Sequence, residues 1–268
     1  MFHRVVATAV EATPKRSRSV SGAAWALVLV MSLCGSSALA IEEAVEAAMA
    51  LESRSEADRE RDANRKPAET LAFFGLEADD RVLELFPGGG WYTKILAPVL
   101  AEEGKLLLFQ GQTDRLKKLL DENEGLENVA IAEGGGTIKP TAERGIFEIE
   151  GLSIDEDDID LVLTFRNLHN FTPESRKRLY AEVLETLVDG GRFGVVDHTR
   201  RHMAPDTREV WRRLDPVLMI QEITEAGFRF VGYSDLHYRP DDELRYEVGR
   251  KSVKGNTDRF TLLFEKVD

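Results

Sequence analysis

The chain has 268 residues, 43% of them hydrophobic, which is enough for one large core and too little for three domains. It carries 35 basic and 48 acidic residues, net −13, and its first forty residues hold four of the basic ones against one acidic, so the rest is more acidic still. That balance excludes non-specific binding to nucleic acid or to an anionic membrane face.

Residues 1–40 are laid out as a secretory signal: a basic lead (Arg4, Lys15, Arg16, Arg18), an apolar run over 23–34, then small residues at Ala38 and Ala40. Cleavage after Ala40 and export to the periplasm are expected. The apolar run is too short to span a bilayer comfortably, so no stable membrane insertion is expected after cleavage. Leu33 is too bulky for lipoprotein processing at Cys34. Cys34 is the only cysteine, so the mature chain would have no disulfide, thiolate nucleophile or cysteine-based metal site.

Residues 41–66, rich in Ala, Glu and Arg, read as an N-terminal helical arm. Apolar residues thin out after Leu51, which predicts that its second half lies on the surface. Pro67 opens a domain expected over 67–268, beginning with a short helix that carries Leu71 and Phe74 and stops at Gly75. Strand and helix patterns then alternate. Strands are predicted over 81–86, 105–109, 128–132, 158–165 and 192–197. Helices are predicted over 91–104, with Pro98 inside, and over 113–125, with Leu116, Leu119 and Leu120 on one face. A third, over 172–191, is capped by Thr172 with Pro173 behind it, and a fourth, over 215–228, is capped by Asp215 before Pro216. Residues 133–136 form a glycine-rich patch. The last strands, 228–235 and 259–267, flank a polar loop or ragged hairpin over 236–258 and are expected to pair antiparallel. The pattern predicts an α/β fold: a seven-stranded, mostly parallel sheet with helices on both faces and an antiparallel last strand.

The first strand runs into Gly88-Gly89-Gly90 and a helix. Glycines there let a ligand approach the backbone without meeting Cβ atoms, at the strand ends where open parallel sheets collect ligands. A dinucleotide-binding turn would need glycine where Thr93 stands, and a P-loop would need Gly-Lys-Ser/Thr. The stretch "GLEADDRVLELFPGGGWYTKILA" resembles motif I of the class I S-adenosylmethionine-dependent methyltransferases. Glu84 falls on the acidic place and Gly88 and Gly90 on two of the glycine places, while Phe86 occupies the first glycine place. With "RDANRKPAETLAFFGL", "DLVLTFRNLHNF", "GGRFGVVDH" and "TDRFTLLFEK", the chain also resembles a family of exported bacterial methyltransferase-like proteins over most of 60–268.

The resemblance implies a Rossmann-like fold and S-adenosyl-L-methionine as cofactor. It implies that Glu84 receives the cofactor's amino group and that Gly88 and Gly90 make room for its methionine part. Gln110 stands where a carboxylate normally meets the ribose hydroxyls; an amide can replace it at a cost on the order of 1 kcal/mol. Glu133, ending the third strand, is a candidate for the adenine amine or a solvated loop acid. Trp91 and Tyr92 either line the pocket, an aromatic face attracting the sulfonium, or pack on the sheet.

The fourth strand ends in "FRNLHNF" and the fifth in "VVDHTRRH", which places Arg166, Asn167, His169, Asn170, Asp197 and His198 at the substrate end. Asn167 is expected to hold a methyl acceptor by its amide, with His169 as proton acceptor and His198 facing it. No metal is assigned: His198 and His202 would need a helix to share a face, and Pro205 stands close by. Residues 59–66, "RERDANRK", read as a solvated charged helix; the resemblance suggests instead that this arm, with Arg65 and Lys66, caps the cleft. The expected function is methyl transfer to a small molecule; the alternative is a non-catalytic envelope protein binding another ligand on the same fold.

Overall fold

Strand alternation sets the layering of the molecule. In β1 (Arg81–Leu85), Val82 joins one buried cluster while Leu83 and Leu85 join a second. In β2 (Lys105–Phe109) Leu106 and Leu108 face the first cluster, Leu107 and Phe109 the second. Each inner strand is therefore apolar on both faces, as a covered parallel sheet requires. The structure is a computed structural model in which residues 39–110 and 113–267 are described. The expected signal segment thus lies, but for its last two residues, outside the described residues.

The first face is covered by α4 (Pro67–Phe73), α5 (Thr93–Val99) and α6 (Asp114–Asp121), through Leu71, Ile95, Leu96, Leu116 and Leu119. A helix over 39–49 (α1) adds Ile41, Val45 and Ala48, a helical i, i+4, i+7 stripe, to the same cluster. The second face is covered by α7 (Pro173–Thr186) and α8 (Pro216–Glu225) through Leu179, Tyr180, Val183, Met219 and Ile223. Both expected caps form. Thr172 accepts from the Ser175 N–H, and Asp215 accepts from those of Val217 and Leu218.

The remaining strands are β3 (Val129–Ile131), β4 (Gly134–Pro140), β5 (Phe147–Ile154), β6 (Ile159–Phe165), β7 (Leu187–His198), β8 (Phe228–Ser234) and β9 (Arg259–Lys266). The main sheet has the order β3-β2-β1-β6-β7-β9-β8, with β9 antiparallel to both neighbours. The predicted seven-stranded, mostly parallel sheet with an antiparallel last strand is the observed one. The strand order reverses between β1 and β6, so their carboxyl ends border the crevice where such sheets bind ligands.

Three expectations need correction. The helix predicted over 172–191 ends at Thr186, because Leu187 enters the core as a strand residue paired with Ile159. The glycine patch is the start of a separate antiparallel hairpin, β4 with β5, which packs on α7 through Ile149 and Ile154. The second half of the arm lies mostly on the surface, as expected, but it is not one helix. It folds as α2 (Glu56–Arg59) and α3 (Asp62–Arg65), and Arg54, Asp58 and Arg65 are buried. Long-range hydrogen bonds account for that burial, and composition does not show them. Arg54 makes a two-pronged pair with Asp62 (2.9 and 2.5 Å), and the Trp91 indole donates to the Asp58 carbonyl at 2.9 Å.

Over 236–258 the chain has no helix or strand, yet it is anchored. Arg213 and Asp242, both with fully buried side chains, pair at 2.9 Å. The Arg213 guanidinium also donates to the carbonyls of Tyr246 and Thr199. Among the described residues no helix is long and apolar enough to cross a membrane.

Where β7 passes under α4, a Cβ on Gly194 would lie 2.7 Å from the Phe74 ring and 2.9 Å from Leu163. Gly194→Ala is therefore expected to destabilise the fold by about 1–3 kcal/mol through overpacking, read as a lower urea midpoint at unchanged slope.

Candidate functional site

At the carboxyl ends of β1 and β6 lies a cleft of about 380 Å³. Its floor starts with a sharp exit from β1. Phe86 leaves the strand with φ 53 while its N–H still bonds the Phe109 carbonyl at 2.7 Å. Glycine takes a positive φ more cheaply than phenylalanine does. Phe86 is held there by its ring, whose centroid lies 4.9 Å from that of Phe171. Gly88 (φ 62) and Gly89 line the cleft, and a Cβ on either would meet nothing within 4 Å. Gly90 sits beneath, outside the lining; with φ 72, its Cβ would meet Leu119 at 2.7 Å. The turn thus brings Gly88 and Gly89, rather than Gly88 and Gly90, to the opening.

Glu84 is buried at the base of the cleft and accepts from Thr93 Oγ1 at 2.6 Å. Burial pushes its pKa up to about 7, against the pull of Thr93 and of Arg65. Among the described residues this buried carboxylate has one hydroxyl partner and no paired cation, and it is suited to receive one.

The reacting end is built by β6 and β7. His169 Nδ1 lies 2.6 Å from Asp197 Oδ1, and the His169 backbone N–H donates to Oδ2 at 3.2 Å. The His198 backbone N–H donates to the same carboxylate at 2.7 Å. Asp197, fully buried, therefore fixes the His169 tautomer with the proton on Nδ1 and leaves Nε2 as a proton acceptor. The His169 and His198 rings face each other with centroids 5.5 Å apart, as the strand ends suggested. Burial, then His169 and the arginines 259, 166 and 213, hold His198 well below the usual histidine range, so it is neutral. Its Nδ1 meets Thr257 Oγ1 at 2.9 Å.

Asn167 lines the cleft, but its amide nitrogen is occupied. It donates to the carbonyls of Phe165 (3.1 Å), Phe86 (3.2 Å) and Leu85 (3.4 Å). It staples the ends of β1 and β6 together, leaving only Oδ1 for a ligand. Gln110 is half-buried just past β2 and is not among the lining residues, and Glu133 is exposed, outside the cleft. His202 bonds the helix-capping Asp215, away from His169 and His198. Among the described residues no group of three or more His, Asp or Glu side chains is arranged to hold a metal ion.

The arm closes the cleft with Arg61 and Arg65. The Arg65 guanidinium lies 4.2 Å from the centre of the Trp91 ring, and that of Arg54 lies 5.2 Å from it, so protein cations meet the aromatic face expected for a sulfonium. Tyr92 stacks on Phe165 with centroids 3.5 Å apart. The turn at Lys66 (φ 41) is pinned through the Arg65 carbonyl, which accepts from His237 Nε2 (2.9 Å) and Thr70 Oγ1 (3.1 Å). Thr261 Oγ1 in turn meets His237 Nδ1 at 2.7 Å, joining the arm to β9.

Burial, with Arg259, Arg239 and Lys66 nearby, pushes the His237 pKa down to about 4, against its bond to the Arg65 carbonyl. A depressed histidine favours the folded state fully above its unfolded pKa, and that advantage is lost as pH falls towards 4. His237→Gln is expected to remove about 3 kcal/mol of acid sensitivity, seen by comparing urea unfolding of both proteins near pH 7 and near pH 4.

Sequence reading missed Arg61, Pro87, Phe165, Arg212 and Val248 as lining residues, and within the glycine corner it assigned Gly88 and Gly90 rather than Gly89. Only the arm's arginines gave a signal, through their place just ahead of the first strand.

No family model matches the chain. It is 38% identical over 63 residues to a protein-L-isoaspartate O-methyltransferase of Anaeromyxobacter dehalogenans, a match covering 24% of this chain and 30% of the relative's length. It superposes on a SAM dependent methyltransferase from Aquifex aeolicus with a TM-score of 0.53 at 17% identity, covering 77% of this chain and 93% of the other. Against the Burkholderia thailandensis 1,6-didemethyltoxoflavin-N1-methyltransferase, whose structure holds 1,6-didemethyltoxoflavin and S-adenosylhomocysteine, the TM-score is 0.52 at 16% identity. That match covers 95% of this chain and 94% of the other. At these identities the likeness is one of architecture, and the chain has the fold of the class I S-adenosylmethionine-dependent methyltransferases.

Proposed function

We propose that the chain transfers a methyl group from S-adenosylmethionine to a small-molecule acceptor. The observation that carries this reading is one cleft shared by two sets of groups. Glu84 with the open Gly88-Gly89 corner lies at one side, and His169 aligned by Asp197 at the other.

The residues present fit the cofactor. Glu84 lacks a cation, which the methionine ammonium supplies, and Gly88 and Gly89 leave free the volume that side chains would fill. Gln110 follows Phe109, the register partner of Leu85, and is the residue we assign to the ribose. Bound there, S-adenosylmethionine supplies an electrophilic methyl group. The chain's own part is positioning and proton transfer. Asp197 holds the imidazole of His169, whose Nε2 takes the proton of an acceptor hydroxyl or amine. His198, kept neutral, leaves that nitrogen without a competing charge, and Asn167 holds the two strand ends at fixed separation. The Asp197-His169 alignment favours catalysis over simple ligand binding, which needs no oriented base.

Calorimetry of the full chain with S-adenosylmethionine and S-adenosylhomocysteine tests the reading. Saturable binding in the micromolar range is expected; a folded protein that binds neither would overturn it. We also keep residues 1–40 as an export signal, on their basic, apolar and small-residue layout. Cell fractionation of the tagged chain, with recovery in the periplasm, is the expected result.

A further inference from the structure

The cleft contains more positive charge than the cofactor uses. Arg65 and Arg166 both line it, and among the described residues neither guanidinium has a carboxylate at ion-pair distance or a hydrogen-bond acceptor. Arg65 is buried and Arg166 half-buried; of the other buried arginines, Arg54, Arg176 and Arg213 pair with Asp62, Glu222 and Asp242, and Arg259 donates to the Asn64 carbonyl. The chain has 48 acidic residues, so carboxylates are not scarce; they are missing at this place. Burial and mutual repulsion lower the pKa of Arg65 to about 9, and burial lowers that of Arg166. An unpaired cation taken out of water is costly unless a ligand completes it.

We propose that the methyl acceptor is an anion: a small molecule whose carboxylate or phosphate pairs with Arg166 while its nucleophilic atom faces His169. This rests on the cofactor reading above. The methionine end of the cofactor carries one ammonium and one carboxylate. Glu84 matches the first. Arg65, whose field already acts on Glu84, matches the second. Arg166 is then left over, at the end of β6 next to Asn167, and its field reaches His198. The nearby carboxylate of Asp197 is already committed to His169 and two backbone N–H groups. With a neutral acceptor, Arg166 and the sulfonium would face each other as two uncompensated positive charges. An oxyanion neutralises both, and the guanidinium fork suits carboxylate and phosphate alike.

The backbone supplies an independent observation. Arg166 has φ 63, in the left-handed region that a long side chain occupies at a cost of about 1 kcal/mol. Glycine or asparagine would hold that turn more cheaply. The position therefore keeps a strained residue whose side chain lines the cleft without an ion-pair or hydrogen-bond partner among the described residues.

The test is calorimetry of the full chain at constant ionic strength, with inorganic phosphate as the probe, with and without saturating S-adenosylhomocysteine. Millimolar phosphate binding to the loaded protein is expected. Arg166→Gln should weaken it about tenfold or more while changing S-adenosylhomocysteine affinity less than about threefold. Arg166→Lys, which keeps the charge and loses the fork, should fall between. Loaded wild-type protein that ignores phosphate, or binds it equally well after Arg166→Gln, overturns the anionic acceptor and leaves the cofactor reading standing. Arg166-dependent phosphate binding in a protein that does not take S-adenosylhomocysteine sinks the cofactor reading and retains the anion site. Intact S-adenosylhomocysteine binding shows that each loaded variant is folded.

Discussion

Glu84→Gln is expected to weaken S-adenosylhomocysteine binding about ten- to a hundredfold and, above neutral pH, to make the unliganded protein more stable. The two effects have one cause. Glu84 is buried with Thr93 Oγ1 as its one hydrogen-bond donor among the described residues, and its pKa is pushed up to about 7. Its folded pKa is above its unfolded value, so the stability it contributes is fully present below about pH 4.5 and is lost as pH rises through about 7. A glutamine never ionises, and the variant keeps that contribution at pH 8, worth as much as about 3 kcal/mol. In the complex the ligand's ammonium needs the carboxylate, and losing a hydrogen bond to a charged group costs about 1.5–3 kcal/mol. Wild-type affinity should therefore fall about tenfold for each pH unit below about 7, and the variant's should not. Calorimetry across pH and urea unfolding give the two readings. A variant that binds worse because it is less stable would contradict the account.

Asp242→Ala is expected to cost about 3–5 kcal/mol of stability, enough to be seen as a large drop in the urea midpoint. The Arg213 guanidinium is fully buried, and Asp242 is its only charged partner among the described residues. Removing the carboxylate strands that charge and also frees the N–H groups of Leu244 and Asp258, which it accepts at 3.0 and 2.7 Å. Replacing both partners, Arg213→Met with Asp242→Ala, should recover part of the loss, because the unpaired charge is then gone. Val248, in the same anchored segment, and Arg212, beside Arg213, both line the cleft, so the single variant should also loosen its rim.

Features set by neighbours in sequence were legible before the structure. The caps at Thr172 and Asp215 need only the next few residues, and the glycine corner announces its place at the end of β1. The strand ends carrying His169 and His198 followed from alternation alone. What escaped depends on partners far along the chain. Arg65 was legible as part of a cap, but its burial was not, because its carbonyl is held by His237, 172 residues away. Asn167 looked like a ligand-holding amide because nothing local shows that three backbone carbonyls converge on it. The β4-β5 hairpin was hidden by Gly134, Gly135 and Gly136, which carry no alternation, although Phe147, Ile149 and Ile154 gave a broken hint.

The bond between the Arg65 carbonyl and His237 has a consequence for the order of assembly. The roof of the cleft leaves the ribosome well before its fasteners, since His237 follows Arg65 by 172 residues and Arg259 and Thr261 come later still. A nascent or truncated chain ending before residue 237 has the floor and the roof with no clasp between them. Such a chain would remain open to solvent at the pocket, and only one that extends past Thr261 can shelter a guest.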